Sequence, residues 1–349
     1  MQTSVKRLPW KRIGNLLFLV LVFGLTVYSV FYGEDLREIF RLLDQANVYD
    51  IIPGILCVFL YIGGEAVILR YLLHTQNIRI PFFHCCLFSF TGFFYSSITP
   101  SASGGQPMQV LLMRKDGVPV AVSTVVLAIV TITYKLVLVI LGIAVLLFRP
   151  QALMAYLEPV ESVFMLGLVL NIVCVLGLFL MVFDPHVVRL LGTKLLSLLN
   201  RIRPFRDYEK QSRRIDRVIE QYQGAAVFYR SHKHTIVQVF LITVVQRFSL
   251  FLITWFTYRS FSLSGHSLPL ITGLQSMVAV AADMLPFPGG MGISENLFLE
   301  IFQPIFGEAL VIPAMMISRG ISYYTQLLIC GAMTLAAPFW ISPKEKQKG

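Results

Sequence analysis

Thr99-Pro-Ser-Ala-Ser-Gly-Gly-Gln-Pro107 interrupts an otherwise apolar run, Phe82–Met113, and Leu285-Pro-Phe-Pro-Gly-Gly-Met-Gly292 interrupts a second, Ser267–Phe306. Proline and glycine at this density cannot continue a helix. Each run is long enough to cross a bilayer, yet each is broken at its centre. The fold therefore turns on which side of a membrane each broken run opens.

The surrounding sequence fixes the solvent. Hydrophobic residues make up 56% of the chain and charged residues 14%, against about 25% charged in a soluble protein. The mean hydropathy of +0.71 agrees. Six stretches have the roughly 20 apolar residues that a spanning helix needs. They are Ile13–Tyr32, Val48–Leu73, Val120–Phe148, Val160–Phe183, Thr235–Tyr258 and Ala309–Ile341. The first lacks a small-residue cleavage site and reads as a span, not a signal peptide. The chain is thus expected to be an all-α polytopic membrane protein. A net charge of +10 then reflects basic cytoplasmic loops; no RRM, zinc-finger or basic-zipper pattern supports nucleic-acid binding.

Lys and Arg in short loops set the orientation. Lys6, Arg7, Lys11 and Arg12 put the N-terminus in the cytoplasm, and Glu34, Asp35, Glu38 and Asp44 mark an outer loop. Arg70 and Arg79 mark the return. Eleven Lys/Arg between Asp184 and His234, Arg201, Arg203 and Arg206 among them, make that connector cytoplasmic. Lys344, Lys346 and Lys348 do the same for the tail. Two full spans and the first broken run lie between Arg79 and Arg189. Parity then makes the broken run enter and leave from the cytoplasm, and its exit at Arg114 and Lys115 agrees. The same count makes the second broken run enter and leave from outside.

The expected fold is six full spans plus two broken re-entrant helical hairpins, 82–113 and 267–306. The halves, 1–150 and 151–349, correspond with inverted topology. Pro100 and Pro286 lie 186 positions apart, and the flanking spans repeat at about that interval. Inverted repeats with discontinuous helices are typical of secondary transporters. The competing reading is an eight-span protein with two ordinary loops. Within the connector 184–234, Val187, Leu191, Leu195 and Leu198 form one stripe, as in an interfacial helix on anionic lipid. Asp207–Tyr222 is highly charged and reads as a solvated helix.

Ionisable groups inside spans cost at least about 2.5–3.5 kcal/mol for a basic or Asp side chain at the centre. Here they are Glu65, Lys135, Arg247 and Arg319, with Asp283 and Glu295 beside the second break. Ser101, Ser103, Gly104, Gly105, Gln106 and Gln109 line the start of one short helix. Gly289, Gly290, Gly292 and Ser294 line the start of another. A helix start offers unpaired N–H groups and a positive dipole end, which suit a phosphate or carboxylate. Lys135, Arg247 and Arg319 add cations to this anion site. Glu65, Asp283 and Glu295 balance charge, and any of the three is a candidate for a coupling proton. The alternative for the cations is a structural ion pair such as Glu65 with Arg247. Tyr134, Tyr323, Tyr324 and Gln326 line a polar path or simply pack.

Cys57, Cys85, Cys86, Cys174 and Cys330 lie in apolar stretches without metal-ligand spacing, and the six histidines form no metal motif. No nucleophile–base pair, P-loop, HExxH or Rossmann fingerprint is present. No cofactor and no catalytic centre are expected.

Ile98-Thr-Pro-Ser-Ala-Ser-Gly-Gly-Gln-Pro-Met-Gln109, followed by Leu112-Met-Arg-Lys-Asp-Gly117, resembles the flippase-like family that includes the membrane domain of bacterial lysylphosphatidylglycerol synthase/flippase. Pro288-Gly-Gly-Met-Gly-Ile-Ser-Glu295 is similar to that family's second signature, Pro-Gly-Gly-x-Gly-x-x-Glu. The resemblance implies a lipid-translocating domain of a bacterial-type plasma membrane, with a membrane lipid as substrate. The soluble aminoacyl-transferase domain of the bifunctional relatives is not in this sequence, so lipid synthesis is not carried over. Gln106 stands where many relatives have an acidic residue, which leaves the head group open: the lysylated lipid, another phospholipid or a polyprenyl-phosphate carrier. Two other classes compete, an ion-coupled transporter of a small soluble anion and an intramembrane lipid-modifying enzyme.

Overall fold

The computed structural model describes residues 37, 41, 43–99, 102–184, 208–285 and 292–341. The expected first span Ile13–Tyr32 and the interfacial stripe at 186–200 lie outside the described residues. So do Pro100, Ser101, Pro286, Gly289, Gly290 and the basic tail.

The described residues form helices and no strands. In chain order these are α1 (Val48–Thr75), α2 (Phe82–Ser97), α3 (Gly105–Lys115) and α4 (Val120–Phe148). Next come α5 (Gln151–Leu157), a 3₁₀ turn (Glu158–Val160), α6 (Glu161–Phe183), α7 (Tyr208–Ser231) and α8 (Lys233–Ser260). The chain ends with α9 (Leu268–Ala282), α10 (Ile293–Phe306), α11 (Glu308–Arg319), a π-helical turn (Gly320–Thr325) and α12 (Gln326–Trp340). Four helical stretches, Val48–Thr75, Val120–Phe148, Gln151–Val182 and Lys233–Ser260, are long and apolar enough to cross a membrane.

Local chemistry explains most boundaries. The Asn47 side chain accepts from the Tyr49 N–H at 3.0 Å and caps α1. The Asn47 N–H in turn bonds the Ser260 carbonyl at the end of α8, at 2.8 Å, pinning the two helices together. Pro81, Pro119 and Pro150 stand immediately before α2, α4 and α5 with φ near −60°, already suited to a helix start. The helix expected as Val160–Phe183 runs from Glu161 to Phe183, and a short helix and a 3₁₀ turn continue it backwards to Gln151; Pro159 falls in the first turn of the 3₁₀ segment, where its missing N–H costs nothing. The run expected as Ala309–Ile341 is helical from Glu308 to Trp340, carried by α11 and α12 with the π turn between them.

Both broken runs fold as pairs of packed helices. In the first, His84 Nδ1 meets Asp116 Oδ2 at 2.7 Å, joining the start of α2 to the end of α3. A Cβ on Gly92 would collide with Gln109, and one on Gly105 would come within 2.0 Å of Ser96 Oγ. The pairings 84 with 116, 92 with 109 and 96 with 105 run in opposite directions, so α2 and α3 are antiparallel. Helices α9 and α10 also pack on each other.

Helix α7 is charged in sequence up to Tyr222, and from Ile219 onward it docks on the bundle. Ile219, Tyr222, Ala225, Ala226 and Tyr229 are buried against α4 and α6. The Tyr229 hydroxyl donates to the Leu72 carbonyl at 2.7 Å. Burial pushes that phenol up to about 12, so it stays a neutral donor at any physiological pH.

The apolar core is layered. One cluster joins Ile68–Leu73 of α1, Val125–Ile132 of α4 and Val239 of α8. A second joins Leu138 and Val145 of α4, Phe251 and Tyr258 of α8, and most of α9 and α10. A smaller third packs Val58, Tyr61 and Ile62 of α1 against Ile253, Ile321 and Cys330. Between these layers, midway along α1, α4 and α8, the polar residues collect.

Candidate functional site

Helix α4 passes from one apolar cluster to the next through Thr133, Tyr134 and Lys135. Lys135 Nζ lies 2.5 Å from Asp283 Oδ2 and 3.5 Å from Asn171 Oδ1. The other Asp283 oxygen accepts from the Tyr134 hydroxyl. Asp283 follows the last residue of α9. Asn171 of α6 is fully buried, and its amide donates to the Gly167 carbonyl at 2.9 Å and the Val280 carbonyl at 3.2 Å. Gly167 permits this approach: a Cβ there would lie 2.5 Å from the Val280 carbonyl oxygen. The end of α9 is thus seated on α6 by a glycine and an asparagine one helical turn apart, which aims Asp283 at Lys135.

Arg247, on α8, is 3% exposed. Its guanidinium carbon sits 4.0 Å from the Tyr134 ring centroid and 5.5 Å from that of Phe251. Such contacts attract a cation to the ring face. The Tyr61 hydroxyl and the Asp283 carboxylate both act electrostatically on Arg247. The Nε atom, however, is buried without a hydrogen-bond partner. Among the described residues no carboxylate forms an ion pair with Arg247. Next to it, Gln246 Nε2 donates to the Tyr61 carbonyl at 2.9 Å.

Glu65, the candidate ion-pair partner for Arg247, is engaged elsewhere. Its Oε1 accepts from Gln109 Nε2 of α3 at 2.6 Å. The structure therefore does not form the Glu65–Arg247 pair.

The second break carries its own pair. Arg319 Nε lies 2.7 Å from Glu295 Oε1, and Ser294 Oγ donates to Glu295 Oε2 at 3.0 Å. Glu295 is 3% exposed and stands in the first turn of α10, so its carboxylate already occupies the place where the helix dipole favours an anion. The Arg319 guanidinium also rests 4.9 Å from the Tyr323 ring centroid. Arg319 ends α11, immediately before the π turn, an irregularity that often marks functional sites.

The glycines have conformational reasons of their own. Gly292 holds φ +83°, a region that side chains disfavour. Gly105 lets α3 approach α2, and the Gly104 N–H donates to Thr99 Oγ1 at 2.9 Å. Ser103 is exposed, and the Gln106 amide donates to Thr131 of α4.

The structure brings Lys135, Arg247 and Asp283 into one buried group and Arg319, Glu295 and Ser294 into another. Glu65 and Gln109 form a third contact, separate from both. Sequence reasoning missed Asn171, Tyr61, Gln246 and the buried link of Thr254 to Gln275 (2.9 Å) and Ser318 (3.2 Å). Asn171 could have been found, as the one amide in the apolar run 160–183. No His/Cys/Asp/Glu group able to hold a metal ion occurs among the described residues.

Residues 13–330 match the family model of the lysylphosphatidylglycerol synthase TM region, which covers nearly the whole chain. The chain belongs to that family. No curated protein matches it. Membership and the four long apolar helices together make this a membrane protein.

Proposed function

We propose that this chain is a lipid translocase. A phosphate-bearing head group enters the polar layer between the apolar clusters while the acyl chains stay in the bilayer. The observation that carries the reading is Arg247: a cation midway along a helix long and apolar enough to cross a membrane, buried, with a vacant donor and, among the described residues, no ion-paired carboxylate. A cation held there without an ion-pair partner is costly, and a negatively charged cargo group offsets that cost. Guanidinium also suits phosphate by geometry. The family is named for a synthase of lysylphosphatidylglycerol, a lipid whose head group contains a phosphate.

The arrangement proposed around this site is an inverted repeat. Helix starts recur at a near-constant interval: Val48 and Lys233, Phe82 and Leu268, Gly105 and Ile293, Val120 and Glu308 lie 185, 186, 188 and 188 positions apart. Contacts recur as well. α1 on α2 is matched by α8 on α9, α3 on α4 by α10 on α11, and α4 on α9 by α12 on α2. Helices α1 and α8, the proposed equivalents, pack on each other. Within this frame α2–α3 and α9–α10 are re-entrant hairpins, and the termini and the basic connector face the cytoplasm of a bacterial plasma membrane. The connector rests on anionic lipid, and the chain carries no catalytic activity of its own.

The test is reconstitution into liposomes that contain head-group-labelled phosphatidylglycerol, phosphatidylethanolamine or the lysylated lipid. Movement of at least one label between leaflets, faster than in protein-free liposomes, is expected. No movement of any of them by folded protein overturns the reading. Uptake of soluble phosphate would instead assign an anion transporter, and a changed lipid mass an enzyme.

A further inference from the structure

We propose that Glu65 is the proton-carrying group of this protein, taking up a proton as an anionic head group occupies Arg247. The inference rests on the reading of Arg247 as the phosphate-binding cation.

Among the described residues three carboxyl groups lie in or beside the polar layer, and two are committed. Asp283 has one oxygen on Lys135 and the other on Tyr134. Glu295 has one on Arg319 and the other on Ser294. Glu65 differs in kind. Its hydrogen-bond partner is Gln109, and among the described residues no cation forms an ion pair with it. Lys and Arg can only donate, so a carboxyl held by them is held as a carboxylate. A Gln amide donates to a carboxylate through its nitrogen and, turned over, accepts from a carboxylic acid through its oxygen. Gln109 therefore serves Glu65 in both protonation states without moving a helix. It is itself almost fully buried and packed against Gly92, so water does not replace it.

The surroundings hold few other titratable groups. Tyr61, one turn earlier on α1, and Cys330, fully buried on α12, are close enough to interact with Glu65. Helix α8 brings Gln246 against the neighbouring Gly64, with Arg247 next in sequence. The charged or titratable groups of the other elements packed on α1 are engaged elsewhere or lie at their ends. Lys135 and Tyr134 of α4 hold Asp283, Tyr323 of the π turn donates to Ser97, and α2 carries His84, Cys85 and Cys86 in its first turn and Tyr95 near its last.

Charge balance then links the two sites. With Glu65 ionised, the ionisable groups of the layer sum to zero; with Glu65 protonated they sum to one positive charge, at Arg247. An entering phosphate monoanion is thus accommodated best when a proton arrives on Glu65. Tyr61 interacts with both groups, and its carbonyl is held by Gln246, the residue before Arg247. By linkage, one coupled proton changes apparent anion affinity by up to about tenfold per pH unit, and anion binding changes proton affinity equally.

The decisive measurement is infrared difference spectroscopy of the full chain in phosphatidylcholine vesicles, with and without short-chain phosphatidylglycerol as the probe. Wild type is expected to gain carboxylic-acid carbonyl absorption on binding, and neither Glu65→Gln nor Arg247→Gln is expected to do so. In vesicles, a one-unit pH gradient should speed labelled phosphatidylglycerol movement by wild type several-fold, and the ratio with and without gradient should fall to one for Glu65→Gln. Persistence of the carbonyl signal or of the gradient ratio in Glu65→Gln overturns the assignment and leaves the translocase reading intact. A Glu65-dependent signal without lipid movement supports the proton–anion linkage and overturns translocation alone. Thermal unfolding of each variant near wild type excludes misfolding as the cause.

Discussion

The hydroxyl of Tyr323, in the π-helical turn, donates to the backbone carbonyl of Ser97, the last residue of α2, at 2.9 Å. It joins the two broken regions, because Tyr323 also supports Arg319, whose partner Glu295 opens α10. The link has a counterpart. Lys135 lies 188 positions before Tyr323, and Ser97 lies 186 before Asp283, so Lys135 on Asp283 and Tyr323 on Ser97 occupy equivalent places in the proposed repeat. Each ties the long helix of one half to the end of the first hairpin helix of the other.

Tyr323→Phe removes the donor and leaves a helix-end carbonyl unpaired in a buried setting. The expected cost is about 1–3 kcal/mol, seen as a lowered unfolding temperature in detergent. An unchanged unfolding temperature would show that the contact does not hold the two regions together.

The two central cations should behave oppositely. Lys135→Gln strands Asp283, and a buried carboxylate without its partner costs about 3–5 kcal/mol. Yield and thermal stability should fall together, and adding Asp283→Asn should restore both. Arg247→Gln strands no ion-paired carboxylate, so the protein should fold. Lipid movement should drop roughly ten- to a hundredfold, as expected for loss of a charge-assisted bond worth about 1.5–3 kcal/mol. An unstable Arg247→Gln, rescued by no carboxylate change, would remove Arg247 from the site.

Glycines separate sharply by their neighbours. A Cβ on Gly167 meets the backbone of Val280 and Ala281 at 2.5–2.6 Å, and backbone cannot swing aside. Gly167→Ala should cost about 1–3 kcal/mol through overpacking and loosen the seat of Asp283. Gly177, ten residues along the same helix, has nothing within 4 Å. Gly177→Ala should be neutral or stabilising by about 0.5–1 kcal/mol. Parallel thermal unfolding checks both, and equal effects would show that α9 does not rest on Gly167.

Apolar length made the four long helices legible, with Val120–Phe148 found to the residue. The breaks were legible too, since nothing but Pro/Gly density was needed to see them. Partners were not. Lys135 and Asp283 lie 148 positions apart, and no spacing rule on one helix reaches that far. Sequence also offered Glu65 to Arg247, a choice decided by Gln109, whose approach depends on Gly92 lacking a side chain. The docking of α7 through Ile219, Tyr222, Ala226 and Tyr229 was not legible, because the charges of 207–222 dominate the pattern of that helix.

Topology gives the last prediction, since the inverted repeat stands or falls on where the first hairpin exits. Single cysteines would be introduced after replacing the five native ones, of which Cys85 and Cys330 are fully buried. Labelling sites must be exposed and unstrained. Asp116 fails, being buried on His84, and Gly307 fails because its φ of +79° disfavours a side chain. Arg114 and Lys115 at the end of α3, and Ser264 and Glu308 around the second hairpin, are all exposed. In intact cells an impermeant thiol reagent should label Ser264→Cys and Glu308→Cys. It should reach Arg114→Cys and Lys115→Cys only after the membrane is permeabilised. The same sidedness at both pairs would make α2–α3 cross the bilayer. That would put Arg114 and Lys115 outside against the positive-inside rule, and the paired offsets between helices would then need an origin other than inverted topology.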